Sequence, residues 1–540
     1  MLCTAGHAVQ IRREPGHRIP EYILPTDPDN PAVWTTTSSS ILTRAATPGA
    51  YARNDIPRLG TIEYPLVLVE FQNRSFSIQD KQVLLDCYER LFNEHGYTDN
   101  RLYQHNGYEF NGSTGSVSDY FRAQSYGQYI PTFIIIGPIR LSQNFEYYGE
   151  GAKGKDIHIG QLITEVCDSI ISNGLANLSG YARNGIIDQL SIIYAGQGEN
   201  YSGADPNTIW PQASEKYFTK KDNPVIYNSG IKGLKYACTC ELFWDSDIIL
   251  DGIGTFCHEF SHTLGLPDFY NTNSDTQSET DAAMGYWSLM DYGNYVNLGF
   301  SPVGYTAFER FSLGWMELDE IKSPGDYDLD DLNSVPQAYR LNTGDDNQFI
   351  ILENRKKNGW YQYDAAEGLM VTAVDYNKDS WNKYNSVNTN AKRYHIFPAD
   401  NDYGRYTNNG DLFPYQYTDS EGTHVIDSIT TQGKPELKAG SSYPSFSIYD
   451  ITRHGDLVNF RVGYNLPSGV ESRKGQEVRI NMSDGNLSVT APTGSKISIH
   501  DISGKVISQT VITTPDQQIE LPGHGIWIVK CGDTVRKINL

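Results

Sequence analysis

The sequence predicts a multidomain α+β protein: a mixed sheet backed by helices, then a β-sandwich-type accessory domain, then a small C-terminal β domain. Three observations point there. At 540 residues the chain is longer than one hydrophobic core organises. Ile187 to Ala195 (IDQLSIIYA) reads as a buried strand, and a helical motif follows it downstream. Beyond residue 320, short β-like runs alternate with Gly, Asn and Asp turns.

Taken in order, residues 1–58 are polar and rich in Pro, Thr and Ser, the composition of a leader or pro-segment arm. Cys3, Asp27 or Asp29 in that arm is a candidate latency group, against the plainer reading of an extended arm. Met1 to Ala8 reads like the small-residue tail of a secretory signal, so an upstream hydrophobic segment is expected. Residues 59–320 are expected to form the mixed α/β domain, closed by a helix within Pro302 to Trp315 that ends before Gly314. Residues 321–465 carry QFIILEN, GLMVTAVDY and VNFRVGY, the runs of the β-sandwich-type domain. Residues 466–540 change character: Leu487–Thr490, Lys496–His500, Val506–Ile507 and Ile526–Lys530 alternate at strand period between tight turns.

Charge and cysteine content narrow the function classes. A net charge of −22 argues against nucleic acid or an anionic membrane as the main partner. No apolar stretch is long enough for a spanning helix. Seven cysteines cannot all pair, and Cys238 and Cys240 point the same way on a strand. That leaves room for one or two bridges, not a disulfide framework.

The chemistry concentrates in His258-Glu259-Phe260-Ser261-His262. Positions i and i+4 share a helix face, so both histidines can present a ring nitrogen to one metal ion. Glu259 beside them is placed to polarise a metal-bound water rather than to ligate. Gly265 allows a helix end that a Cβ would resist, and the turn can return Asp268 as a third ligand, with Asp281 or Asp291 as the alternative. Asp251 to Cys257 leads into the motif, and Trp287-Ser288-Leu289-Met290-Asp291-Tyr292-Gly293 follows it. Met290 suits a hydrophobic floor, since a thioether matches zinc poorly.

HEFSHTLGLPDFY followed by GYWSLMDYG resembles the immune inhibitor A family of secreted zinc metallopeptidases, peptidase family M-six. Tyr64–Phe71, Thr114–Phe121, Ser125–Gln128, Tyr194–Glu199, Ile209–Pro211, Leu352-Glu353-Asn354-Arg355 and Gly368–Val371 carry the likeness across about residues 59–465. The resemblance implies a metzincin-like catalytic domain, Zn2+ held by His258, His262 and Asp268, and hydrolysis of protein or peptide substrates with Glu259 as general base. Tyr292 corresponds to a tyrosine that binds metal or oxyanion in several metzincins, against the plainer role of packing the turn. The resemblance also implies structural Ca2+, since many relatives carry an Asp- and Gly-rich, calcium-like loop before the Tyr194 strand, but Asn177 to Asp188 keeps few carboxylates here. Glu199, Asp205 and the acidic 268–281 loop are the other candidates, with no site assigned.

At the C-terminus, Ile499–Lys505, Leu521-Pro522 and Gly525–Lys530, closing on Arg536-Lys537, resemble the type A sorting domain of the type IX secretion system of Bacteroidota. That likeness implies the secretion machinery as a partner, and a product that is secreted or attached to the outer surface of the outer membrane. A carbohydrate-binding or stabilising β domain is the alternative. Two other functions stay open at this level: a surface adhesin with an inactive peptidase-like domain, and a zinc amidase acting on glycan.

Overall fold

The computed structural model describes residues 56–540, apart from 99–102, 106–107, 111, 153–154, 204, 246–248, 274–282, 383–386, 390, 405–408, 466–478, 484–485, 492–494, 503–504, 515, 522, 524, 532–533 and 540. The latency candidates Cys3, Asp27 and Asp29, the Met1–Ala8 segment and Asp281 lie outside the described residues. The chain divides into two compact units, residues 1–465 and 466–540.

The first unit is organised by a mixed sheet. Its strands are β1 (Gly60–Glu70), β2 (Tyr129–Arg140), β3 (Ile186–Gln197), β4 (Gln212–Tyr217), β5 (Gly233–Trp244) and β6 (Ile249–Leu250). They run in the order β6-β5-β3-β1-β2, with β4 antiparallel on the outer side of β5. The pairs β1–β2, β1–β3 and β3–β5 are parallel. Parallel strands buried on both faces need continuous apolar runs, and β1 shows why. Leu66 and Leu68 enter one core while Val67 and Val69 enter the other, because successive side chains point to opposite faces.

Five helices cover this sheet: α1 (Lys81–Asn93), α2 (Val117–Gln124), α3 (Ile159–Ser172), α4 (Gly254–Leu264) and α5 (Ala307–Leu313). α3 places Leu162, Ile163, Val166 and Ile170 in the second core. α1, α2, α4 and α5 share the first core. α2 opens with a capping box from Ser116 and Asp119, and α5 with one from Thr306 and Glu309. α5 ends at Gly314, whose φ of 85° is left-handed.

Residues 319–396 add a second sheet, β7 (Asp319–Glu320), β8 (Tyr339–Asn342), β9 (Gln348–Arg355), β10 (Gly368–Asp375) and β11 (Tyr394–Ile396), in that order. A three-stranded sheet of Gly325–Leu329, Phe446–His454 and Leu457–Tyr464 shares a core with one face of it, through Ile350, Leu352, Val371, Ile448 and Phe460. The opposite face belongs to the first core: Phe349, Ile351, Met370, Val374 and Trp381 cluster with Phe308, Phe311 and Met290. The change of composition near residue 320 is therefore a change of sheet, with no break in packing.

The second unit consists of a three-stranded and a four-stranded antiparallel sheet. Leu487, Val489, Ile497, Ile499, Ile519, Val529 and Ile538 form its core. Among the described residues no helix is long and apolar enough to cross a membrane, which says nothing of strand-built spans. The six described cysteines are all free and buried, so the one or two bridges allowed by composition do not form among them. Cys238 and Cys240 sit on β5, and Cys257 on α4 is fully buried in the first core.

Candidate active site

α4 delivers the site because its two faces have opposite characters. Phe256, Cys257, Phe260 and Leu264 enter the first core, where Phe260 packs against Tyr64, Phe121 and Phe133. His258, Glu259 and His262 occupy the other face. The helix ends at Gly265, whose φ of 112° is the left-handed conformation that glycine allows. The amides of Gly265 and Leu266 both reach the carbonyl of Ser261. The chain then turns back and brings Asp268 under the two histidines.

His258 Nε2 lies 3.1 Å and His262 Nε2 3.2 Å from the same oxygen, Asp268 Oδ1. One ligand atom from each of the three lies within 4.8 Å of the others. The opposite ring nitrogens are already engaged. His258 Nδ1 donates to the Leu289 carbonyl and His262 Nδ1 to the Leu266 carbonyl, each at 2.8 Å. A proton fixed at Nδ1 leaves the Nε2 lone pair of each neutral ring for a cation. Two imidazoles and a carboxylate converging this way fit a zinc ion.

Without a cation these groups compensate one another. Burial drives His262 down, but the charge and hydrogen bond of Asp268, with Glu259, outweigh it and hold the ring up at about 9. His258 is raised by the same balance. Burial would raise Asp268, yet the two histidines hold it well below the usual carboxylate range. A bound metal ion would replace the protons that these rings share with Asp268.

Glu259 is buried beside the histidines and is not among the three grouped ligands. Burial raises its pKa and Asp268 adds to this, while the histidines and a hydrogen bond from the Ala213 backbone lower it. Ala213 lies on β4, the edge strand, which therefore passes directly over the base. β4 is fixed at its start by buried Asp156, which accepts from the Trp210 amide at 3.1 Å and Gln212 Nε2 at 2.8 Å.

The segment Tyr292–Gly299 closes the back of α4. Gly254 passes so near it that a Cβ would lie 1.9 Å from the Asn294 carbonyl oxygen. Gly254→Ala is therefore expected to cost about 3 kcal/mol, read as a lower unfolding midpoint, because backbone on both sides must move. A parent-like midpoint would contradict that.

Of the predicted site residues, the structure brings His258, Glu259, His262 and Asp268 together. Asp291, the alternative ligand, instead accepts from the Met284 and Gly285 amides at 2.9 Å. The Tyr292 ring centroid lies 6.3 Å from that of Tyr270. Tyr270 was not singled out from the sequence, although it lies two residues past Asp268. Its ring stacks 6.5 Å from that of His258. Among the described residues, Glu199 and Asp205 join no comparable cluster, and Asp188 is held by Arg183 at 2.7 Å and 2.8 Å.

Residues 64–316 match the immune inhibitor A peptidase M6 catalytic-domain family. The family implies a metal, which the three converging ligands suit. Two curated relatives, the pre-pro-metalloprotease PrtV of two Vibrio cholerae strains, are each 25% identical over 305 residues, covering 49% of this chain. The alignment spans 30% of the length of those relatives.

Proposed function

We propose that the protein is a secreted, zinc-dependent endopeptidase that hydrolyses peptide bonds of extracellular proteins. The observation that carries this reading is the convergence of both Nε2 atoms and Asp268 Oδ1, with each Nδ1 already committed to a carbonyl. His258, His262 and Asp268 would hold zinc, which when bound supplies a Lewis acid that polarises the scissile carbonyl and makes water acidic. Glu259 takes the proton of the attacking water and returns it to the leaving amine. Its burial favours that exchange, since a raised carboxyl pKa brings acid and base forms closer at neutral pH. The substrate lies extended along β4, whose outer edge has no strand partner among the described residues. Main-chain pairing there grips any sequence and lays the scissile bond beside Glu259.

Tyr292, two residues past Met290, is assigned to the oxyanion. Tyr292→Phe is expected to lower kcat roughly a hundredfold, about 3 kcal/mol, with zinc content unchanged. A parent-like kcat would return Tyr292 to a packing role.

We read the domain as metzincin-like, with the Met290 turn beneath the histidines, and residues 321–465 as a β-sandwich-type region sharing its core. Residues 1–58 are read as a leader or pro-segment, in keeping with the "pre-pro" name of the relatives. Residues 466–540 are read as the sorting domain engaging the type IX machinery. Casein hydrolysis by the purified protein, abolished by a zinc chelator and restored by zinc, tests the activity. Metal-loaded protein without hydrolysis of casein or gelatin would favour a binding role instead.

A further inference from the structure

One turn is hydrogen-bonded to one of the three ligands and to the neighbour of another. The Leu289 carbonyl accepts from His258 Nδ1, and the Met290 carbonyl accepts from the Phe269 amide at 2.8 Å, the residue next to Asp268. Any shift of residues 288–290 therefore moves His258 and Asp268 together. What fixes this turn is a buried layer of charge reaching in from α5 and β9. Glu309 Oε1 accepts from Ser288 Oγ at 2.7 Å and from the Met290 amide at 3.3 Å. Its other oxygen accepts from the Thr306 amide at 2.6 Å, so α5 and the turn are clasped by one carboxylate.

Arg355 Nη2 donates to the Trp287 carbonyl at 3.0 Å. Arg355 Nε is paired with Glu353 Oε1 at 2.7 Å, and Glu353 Oε2 accepts from the Ala307 amide at 2.7 Å. The side chains of Arg355 and Glu353 are 0% and 1% exposed. Burying such a pair rarely adds stability, since desolvation offsets the attraction and a well-packed apolar pair does as well. What the charged pair supplies is direction: a guanidinium aimed at one carbonyl fixes a turn in a way that an aliphatic chain cannot.

We propose that Glu309 and Arg355 are positioning residues for the metal site, acting through the Trp287–Met290 turn. The Glu353-Asn354-Arg355 strand is thereby a working part of the catalytic unit. This rests on the metallopeptidase reading above.

The test uses the full chain carrying Glu309→Gln, Arg355→Lys or Ser288→Ala, the last deleting only the hydroxyl that links the turn to Glu309. Zinc affinity by chelator competition and the visible spectrum of the cobalt(II)-loaded protein are read beside the metal-free melting midpoint. A role confined to stability lowers the midpoint and leaves affinity and spectrum alone. The expected result is zinc affinity weakened roughly ten- to a hundredfold with an altered cobalt spectrum. Ser288→Ala decides the matter if the two charge variants do not fold. Folded variants with parent-like affinity and spectrum would overturn the proposal. A parent that binds neither zinc nor cobalt would instead sink the underlying reading, and this proposal with it.

Discussion

Glu259→Ala is expected to lower kcat for casein by about 10²- to 10⁴-fold while zinc content stays at the parent level. Glu259 shares the helix face of His258 and His262 but stands outside their ligand group, so truncating it should leave the metal in place. Alanine suits a helix, and α4 keeps its aromatic face in the core. Only the proton acceptor beside β4 is lost. Glu259→Asp is the finer probe, because it keeps the charge and withdraws it by one methylene, and misplacement of about 1 Å costs on the order of 10²-fold. Both rates are read by steady-state hydrolysis, with zinc measured on the same samples. Parent-like turnover in Glu259→Ala would remove the general-base assignment.

A chain ending at residue 320 is expected neither to fold cooperatively nor to bind zinc, whereas residues 56–465 do both. The first core needs Phe349, Ile351, Trp360, Met370, Val374, Trp381 and Tyr394 from beyond that point. Losing burial of roughly 2 kcal/mol for each of these seven side chains, about 14 kcal/mol, is comparable to the about 5–15 kcal/mol that holds a domain together. With a discount for a compact unfolded state the loss is still about 8 kcal/mol or more, the scale of a whole domain's stability. The cut also removes Arg355 from the Trp287 carbonyl and Asp411, which accepts from Trp287 Nε1 at 2.7 Å. Near-ultraviolet circular dichroism and thermal melting of the two chains decide it. A cooperative melt from residues 56–320 would contradict the shared core.

The site was legible because its determinants are local. His258 and His262 are one helical turn apart, and Gly265 announces the reversal that brings Asp268 back, so spacing and conformational preference suffice. The β3 strand was equally plain, since double-sided burial requires an unbroken apolar run, whereas β1 was marked only by the family resemblance of Tyr64–Phe71. β4 was not legible. Its residues, QASEKY, are half exposed because an edge strand has little to bury. The role of Leu352–Arg355 was hidden for another reason: Arg355 meets Trp287 across the fold, and no local pattern records which face of a strand another sheet will cover. The same long-range packing makes residue 320 look like a boundary. Tyr270 escaped because an aromatic beside a ligand reads as core until its ring is found against that of His258.

The central claim is that His258, His262 and Asp268 together hold one zinc ion. Elemental analysis of the purified full-length protein and of Asp268→Ala, dialysed side by side, tests it most directly. The account predicts a single zinc per parent chain and loss of most of it in the variant, with the fold retained. Full zinc occupancy in Asp268→Ala would contradict the ligand set.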